Sequence, residues 1–306
     1  MTFLVTGGRG FFGTHLCAYL RRSHPRARII VLDRTPGPKT LRCDLNSDPQ
    51  LARRLRQLQP DVIFHLAGSS RADTWDRLWT DFVGATINLL DAVRSLPRPE
   101  QPRIIISGSS AEYGPAPDRL LRESDPTRPV TAYGALKLSQ TLAALTYRHV
   151  GLDIVIARIA NIIGPGIPEN LALGTFARQL ASIARGRRPA EILTGNLDSR
   201  RDYIDVRDAA AALDLLARHG KSGEIYNVAS GRPLTTGALL RRLIRRSSVP
   251  ASVRSTAPRR IHREASYVAC SYRKINRLTG WRPRIPLERT LKDTWDWALS
   301  LPAPRS

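Results

Sequence analysis

The sequence predicts an α/β fold in which a doubly wound parallel sheet is followed by a smaller mixed α/β lobe. Almost continuously apolar strands alternate with helical segments through the first 160 residues, as in a parallel sheet covered by helices on both faces. A glycine-rich turn joins the first strand to the first helix. After Ala160, glycine and proline interrupt the alternation, and this change marks the second lobe.

The elements of the first half follow one another in regular order. Apolar runs rich in β-branched residues predict strands at residues 3–6, 27–32, 62–67, 103–107 and 153–158. Helical periodicity predicts helices at residues 15–22, 50–59, 78–96 and 131–150. In the second half we expect helices at 174–185, 206–219, 237–247 and 287–299, and a strand at 224–228.

Composition argues against several classes of protein. No apolar run is long enough to span a bilayer, and the chain enters a strand directly without a signal peptide. We therefore expect a cytoplasmic protein with no membrane partner. Cys17, Cys43 and Cys270 are widely separated, which predicts free thiols and no metal site.

The net charge of +22 is compatible with a nucleic-acid partner, but its distribution argues against one. Only five of the 48 basic residues are lysine, which is the bias expected of a GC-rich coding sequence. The arginines are spread along the chain and are not interleaved with aromatic residues as in a base-stacking surface. We expect an anionic small molecule, not nucleic acid, as the partner of a few of them.

The glycine-rich turn predicts a dinucleotide site. Gly7, Gly10 and Gly13 recur every third residue between a strand and a helix, which suits a tight turn, a close approach of a pyrophosphate and close helix packing. Asp33 ends the next strand, where an acid binds the ribose hydroxyls of the adenosine. Its charge favours NAD, whereas Arg34 beside it makes NADP possible.

A second motif predicts hydride transfer at a carbinol or ketone carbon. Tyr133 and Lys137 are four residues apart and share one helix face, with Thr131 as the predicted N-cap. An adjacent ammonium is expected to lower the pKa of the Tyr133 phenol, which then exchanges protons with a substrate oxygen. The hydroxyl of Ser109 is expected to bind the same oxygen.

Together these features resemble the extended short-chain dehydrogenase/reductase family, whose members modify nucleotide sugars on a Rossmann-type fold. The resemblance covers essentially the whole chain and is carried by segments 6–13, 44–45, 65–68, 109–114, 133–137, 158–166, 201–208 and 279–281. Within the family, the chain is most similar to the GDP-6-deoxy-D-mannose reductases. The resemblance also implies a homodimer built on the helices at 78–96 and 131–150.

The family resemblance assigns roles to residues at matching positions. The catalytic residues it implies are Ser109, Tyr133 and Lys137. The implied cofactor site consists of Gly7, Gly10, Phe11, Phe12, Gly13, Asp33, Arg34, Asp44, Leu45, Leu66, Ala67, Gly68, Ser107, Tyr133, Lys137 and Ile159. The implied nucleotide-sugar site consists of Ser69, Ser110, Asn161, Asn170, Leu171, Arg178, Arg201 and Arg263. We accordingly assign residues 1–160 and about 202–222 to a dinucleotide-binding domain, and 161–201 and 223–306 to a nucleotide-sugar-binding lobe.

Three functions fit this resemblance. The first is reduction of the C4 ketone of an NDP-4-keto-6-deoxyhexose, and the second is an NAD-dependent 4-epimerase that uses the same groups. The third is a basic NAD-binding regulatory protein without catalysis. The acidic pair that 4,6-dehydratases carry after the catalytic Ser or Thr is replaced by Ser110 and Ala111, which argues against water elimination. Phe82 replaces an Asn that is frequent in the family.

Overall fold

The computed structural model of the protein describes residues 1–68, 74–256 and 267–302. Its larger layer is a seven-stranded sheet in which every pair of neighbouring strands is parallel. In spatial order the strands are β10 (Ile225–Val228), β6 (Ile154–Ile159), β5 (Arg103–Ser109), β4 (Val62–His65), β1 (Thr2–Thr6), β2 (Arg28–Asp33) and β3 (Thr40–Arg42). The chain leaves β1 toward β2 and returns to β4 on its other side, so a crevice is expected at the carboxyl ends of these strands.

Helices cover both faces of this sheet, as the sequence predicts. One face packs against α1 (Phe11–Ser23) and α7 (Val206–His219), with Leu16 and Leu213 fully buried between them and the sheet. The other face packs against α2 (Leu51–Leu58), α4 (Ala85–Arg94) and α5 (Ala132–Thr146). Burial on both faces explains why the strand sequences are almost continuously hydrophobic.

The predicted helix at 78–96 is confirmed as a continuous helical segment, but its first part is not a regular α-helix. A short helix α3 (Trp75–Leu78) leads into a π-helical turn at Trp79–Gly84, and only then does α4 begin. Side-chain periodicity does not reveal such a turn, since it adds one residue without ending the helix. The wider turn places Phe82 against α5. Helix α1 also begins at Phe11, four residues earlier than predicted.

The smaller lobe contains two further sheets. The first joins β7 (Asn161–Ile163), β9 (Arg200–Asp205), β11 (Pro233–Thr235) and β13 (Tyr267–Val268), and the second pairs β8 (Glu191–Thr194) with β12 (Ser252–Ser255). The helices of this lobe are α6 (Ala172–Ala184), α8 (Thr236–Ser247) and α10 (Leu287–Ser300), which share one core around Leu180 and Leu240. A further helix, α9 (Arg273–Thr279), packs on α7.

The pairing of two strands corrects the predicted domain boundaries. Strand β10 pairs with β6 and so belongs to the large sheet, although the sequence assigned residues from 223 onward to the smaller lobe. Residues 202–205 belong to β9 and pair with β7, in the smaller lobe. Strand partners are set by tertiary contacts, and a short apolar run does not specify them. No helix within the described residues is both long enough and apolar enough to cross a membrane.

Candidate active site

A cavity of about 1310 Å³ lies at the carboxyl edge of the large sheet and extends to the smaller lobe. Every residue that the sequence assigns to the cofactor lines it, from the glycine-rich turn to Ser107 and Ile159. The predicted catalytic residues Ser109, Tyr133 and Lys137 also line it. The fold therefore brings together residues that are more than 150 positions apart in the chain.

The glycine-rich turn fits a dinucleotide pyrophosphate. Gly7 has a φ of +68°, and an added Cβ there would lie 2.9 Å from the backbone of Ala67. Gly10 is the N-cap of α1 and makes no side-chain hydrogen bond to the helix. The backbone N–H groups of the first turn are therefore not occupied by the cap and can bind a ligand. Because the positive end of a helix favours phosphate, this turn can hold the cofactor that the sequence predicts.

Replacing Gly13 by alanine is expected to lower the affinity for NADH at least about tenfold. The added Cβ would lie 2.3 Å from the carbonyl oxygen of Gly7, so the turn must open. Titration of NADH fluorescence measures the affinity. The matched control is Gly195→Ala, which also lies at the cavity wall but where no atom of the described residues is within 4 Å of the added Cβ. Equal affinities for Gly13→Ala and the unmodified protein would contradict this role of the turn.

Asp33, the last residue of β2, is held by two backbone amides. Its carboxylate oxygens accept hydrogen bonds from the N–H groups of Arg9, at 3.0 Å, and Thr35, at 2.9 Å. Arg34 forms an ion pair with Asp81, with 2.9 Å between Nη1 and Oδ1. The carboxylate is therefore fixed at the cavity wall, where it suits ribose hydroxyls.

Ser109 ends β5 and is oriented by a buried ion pair. The Ser109 amide donates to Oε1 of Glu112 at 2.7 Å, and the other oxygen of Glu112 pairs with Arg158 at 2.8 Å. Both charged side chains are almost completely buried. The guanidinium of Arg158 also stacks on Tyr113, at 4.5 Å from the ring centre. This arrangement fixes the backbone that presents the Ser109 hydroxyl.

Tyr133 lies in the first turn of α5, where the Thr131 hydroxyl accepts a hydrogen bond from Gly134 at 3.1 Å and confirms the predicted N-cap. Burial raises the pKa of the Tyr133 phenol, and the charge of Glu112 raises it further, whereas a hydrogen bond with Ser109 lowers it. The pKa of Tyr133 is therefore raised overall, and not lowered as the sequence-based expectation had it. The pairing of Tyr133 with Ser109 is the contact that favours ionisation.

Lys137 is buried beneath the same part of the cavity. Its ammonium donates to the Ser107 carbonyl and to Oε1 of Gln140, the latter at 2.6 Å, and lies 4.7 Å from the ring centre of Phe82. Burial lowers the pKa of Lys137 to about 8, although the charge of Glu112 opposes this change. A lysine with such a pKa can exchange protons near neutral pH.

Family comparison agrees with this geometry. Residues 3–229 match the model of the NAD dependent epimerase/dehydratase family. The chain belongs to this family. It is similar to a GDP-6-deoxy-D-mannose reductase of Pseudomonas aeruginosa, with 29% identity over 94% of each chain. It is also similar to a dTDP-6-deoxy-L-talose 4-dehydrogenase (NAD(P)(+)) of Kitasatospora kifunensis, with 30% identity over 95% of this chain and 93% of the relative.

A solved structure of RMD from Pseudomonas aeruginosa, complexed with NADPH, superposes with a TM-score of 0.85 and 27% identity, covering 98% of this chain and 99% of that one. This protein is thus an epimerase/dehydratase-family enzyme of the extended short-chain dehydrogenase/reductase type. Its cofactor is NAD or NADP, as predicted. The alternative of a regulatory protein without catalysis is not supported.

In this family enzyme, the sugar-side residues of the prediction do not all lie at the cavity. Ser110, Asn161, Asn170, Leu171 and Arg201 line it. Asn161 donates to the Asp202 carbonyl at 3.2 Å, and the buried Asp202 carboxylate accepts from the amide and hydroxyl of Ser230. These contacts fix the strand that carries Arg201 at the cavity wall.

Arg178 is the exception among the described residues, and its predicted role is not supported by its position. Its guanidinium donates to the Ile167 carbonyl at 3.0 Å and lies on the ring of Trp297, at 4.8 Å from its centre. It does not line the cavity. The helical register turns this side chain toward α10, a packing choice that the sequence motif does not reveal. Ser69 and Arg263 lie outside the described residues.

Sequence reasoning missed three residues that contact the predicted catalytic residues. Gln140 binds the Lys137 ammonium, and the ring of Phe82 lies against the same ammonium. Glu112 binds the amide of Ser109. Gln140 is three residues after Lys137, a spacing that puts both on one helix face and is visible in the sequence. The position of Phe82 depends on the π-helical turn, which the sequence does not show.

Proposed function

We propose that this enzyme reduces the C4 ketone of an NDP-4-keto-6-deoxyhexose with NADH or NADPH. The observation that carries the proposal is the composition of the catalytic part of the cavity. Among the described lining residues, Tyr133 and Lys137 are the titratable groups there, and the lining carboxylates belong to Asp33, Asp44 and Asp81 at the adenosine end. Such a site can protonate a carbonyl oxygen, but it has no carboxylate pair for eliminating water.

In the proposed reaction, the Tyr133 hydroxyl donates its proton to the oxygen on C4, and the Ser109 hydroxyl donates a hydrogen bond to the same atom. The bound nicotinamide supplies the hydride that C4 receives. The positive charge of Lys137 stabilises the tyrosinate that remains. Tyr133 then regains a proton from solvent before the next turnover.

The sugar nucleotide is proposed to bind on the side of the smaller lobe. Arg201 is at the cavity wall, and its planar guanidinium suits the diphosphate, which needs bidentate recognition. Asn161, Asn170, Leu171 and Ser110 complete the proposed site. The two relatives named above carry GDP-sugar and dTDP-sugar names, which supports the class of substrate and leaves the base to experiment.

The test is turnover of 4-keto-6-deoxyhexoses linked to GDP, UDP, CDP or dTDP, followed by loss of nicotinamide absorbance with NADH and with NADPH. We expect one base to be preferred and a 6-deoxyhexose product. Absence of turnover with every substrate, together with NAD retained in the isolated protein, would refute the reductase and favour a 4-epimerase. That alternative is then assayed on the unreduced NDP-hexoses.

A homodimer in the cytoplasm is part of the same proposal. Trp79 and Leu142 are 52% and 56% exposed, and they lie on the π-helical turn and on α5, which pack against each other. Exposed apolar side chains on neighbouring elements are typical of an association surface. Cys17, Cys43 and Cys270 are free and buried, which suits a reducing compartment.

The substitution Leu142→Glu is expected to convert the dimer to a monomer. A buried charge at an interface between copies is costly, because it loses water without gaining a partner. Sedimentation velocity at micromolar concentration measures the mass. Leu299→Glu is the matched control, since Leu299 is 40% exposed on α10 and lies outside the proposed surface. A monomeric unmodified protein would contradict the proposed dimer.

A further inference from the structure

A chain of buried polar side chains begins at Lys137 and ends beside the glycine-rich turn. Oε1 of Gln140 accepts from the Lys137 ammonium at 2.6 Å, and Nε2 of Gln140 donates to the Thr86 hydroxyl at 2.7 Å. That hydroxyl lies 2.9 Å from Nε2 of His65, whose Nδ1 lies 2.8 Å from the Thr6 hydroxyl. All five side chains are at most 4% exposed.

The donors in this chain have a single consistent arrangement. An ammonium only donates, so the oxygen of the Gln140 amide must face it. The Thr86 hydroxyl has one proton, and it goes to the carbonyl oxygen of Phe82, at 2.6 Å, which only accepts. Nε2 of His65 therefore donates to Thr86, and the unprotonated Nδ1 accepts from Thr6. Burial lowers the pKa of His65 to about 3, with the charge of Lys137 adding to this effect, so the imidazole is neutral as required.

We propose that Gln140 is a positioning residue for Lys137, which it holds beneath the candidate active site through the buried chain to Thr86, His65 and Thr6. The end of that chain is fixed to the cofactor turn, because Thr6 ends β1 and its hydroxyl accepts from the Ala67 amide at 3.3 Å. A flipped Gln140 amide would direct N–H groups at the ammonium. The amide is therefore locked, and so is the position of the Lys137 ammonium.

Gln140 also supplies the oxygen that stabilises the charge of Lys137. The ammonium contacts two neutral oxygens, of Ser107 and Gln140, and one aromatic ring. Of the described titratable groups, Glu112 in the turn after β5 acts on this ammonium, and the ammonium in turn acts on the neutral His65 of β4. Tyr133 lies on the same helix as Lys137. The nearby carboxylate is already paired with Arg158, so loss of the Gln140 oxygen would leave the ammonium poorly solvated.

The experiment titrates Lys137 directly, without any substrate. The chain has only five lysines, so protein labelled with ¹³C at the lysine Cε gives five resonances, and Lys137→Arg identifies the one from Lys137. In the unmodified protein we expect a pKa of about 8. Gln140→Met removes the acceptor and should lower that pKa by about one unit or more, whereas Gln140→Glu adds a negative charge and should raise it by a similar amount. Thr86→Val should lower the pKa of Lys137 by less, since it removes the acceptor of the Gln140 amide and so allows that amide to rotate.

Gln179→Met is the matched control. The Gln179 side chain also makes two hydrogen bonds at 2.9 Å, to the backbone of Leu193, but in the smaller lobe and off the cavity wall. It should leave the Lys137 titration unchanged. Folded Gln140→Met, Gln140→Glu and Thr86→Val proteins that all titrate like the unmodified one would overturn the proposal.

The role of Gln140 in turnover rests on the proposed function and is measured separately. With a 4-keto sugar as substrate, Gln140→Met should lower kcat about tenfold or more and leave the sugar KM unchanged, because Gln140 does not line the cavity. If the unmodified protein reduces no 4-keto sugar while the titrations shift as predicted, the proposed function fails and the positioning of Lys137 stands. If turnover is present and the titrations do not shift, the positioning fails alone.

Discussion

Tyr133→Phe is expected to lower kcat for ketone reduction by a factor of about 10²–10⁴, the range that general acid catalysis contributes. The phenol is the proposed proton donor beside the Ser109 hydroxyl at the cavity wall, and phenylalanine preserves the packing of its ring against Phe82, at 5.6 Å between centres. Affinity for NADH should change little. Stopped-flow measurement of a single turnover separates the chemical step from product release.

Tyr147→Phe is the control for that change. Tyr147 follows α5 immediately, and its hydroxyl donates to Asp91 at 3.0 Å on the surface. The same loss of one hydroxyl should there leave kcat unchanged. If Tyr133→Phe retained more than about a tenth of the turnover, another group would have to protonate the substrate oxygen, and the assignment of Tyr133 would be wrong.

Glu112→Gln is expected to have the largest effect on stability, about 3–5 kcal/mol of the free energy of unfolding. It leaves the guanidinium of Arg158 buried without a counter-ion, and Nη1 of Arg158 has no hydrogen-bond partner among the described residues even in the unmodified protein. Denaturant unfolding at neutral pH measures the change. The variant should also lose turnover, because the same carboxylate binds the amide of Ser109.

Two further variants identify the cause of this loss of stability. Asp125→Asn breaks an ion pair with Arg119 at the surface and should lower the free energy of unfolding far less than Glu112→Gln does, since solvent screens exposed pairs. The double change Glu112→Gln with Arg158→Met should recover part of the lost stability, because no unpaired charge remains buried. A double variant as unstable as the sum of both single variants would show that packing, and not the ion pair, sets the cost.

The predicted parts of the candidate site that the structure places at the cavity are local in the chain. The turn at Gly7, Gly10 and Gly13 and the pair Tyr133 and Lys137 each depend on a fixed spacing within one turn or one helix. The N-cap at Thr131 is local in the same sense. The class of cofactor and the enzyme family follow from these motifs.

The errors arise where distant segments meet. Arg178 is a residue type that commonly binds phosphate, but its side chain packs against Trp297 and does not line the cavity. The expected lowering of the pKa of Tyr133 left out burial. The phenol is buried by segments distant in the chain, and this burial raises its pKa overall.

The sequence by itself determined the sheet-and-helix class, the cofactor turn and the candidate proton donor, because each is written in short-range periodicity or spacing. Only the tertiary structure decided that β10 belongs to the large sheet and that a π-helical turn brings Phe82 onto Lys137. Only it joined Thr6, His65 and Thr86 to Lys137. Burial, desolvation and the partners of a buried polar group depend on segments far apart in the chain, and a local pattern carries no record of them.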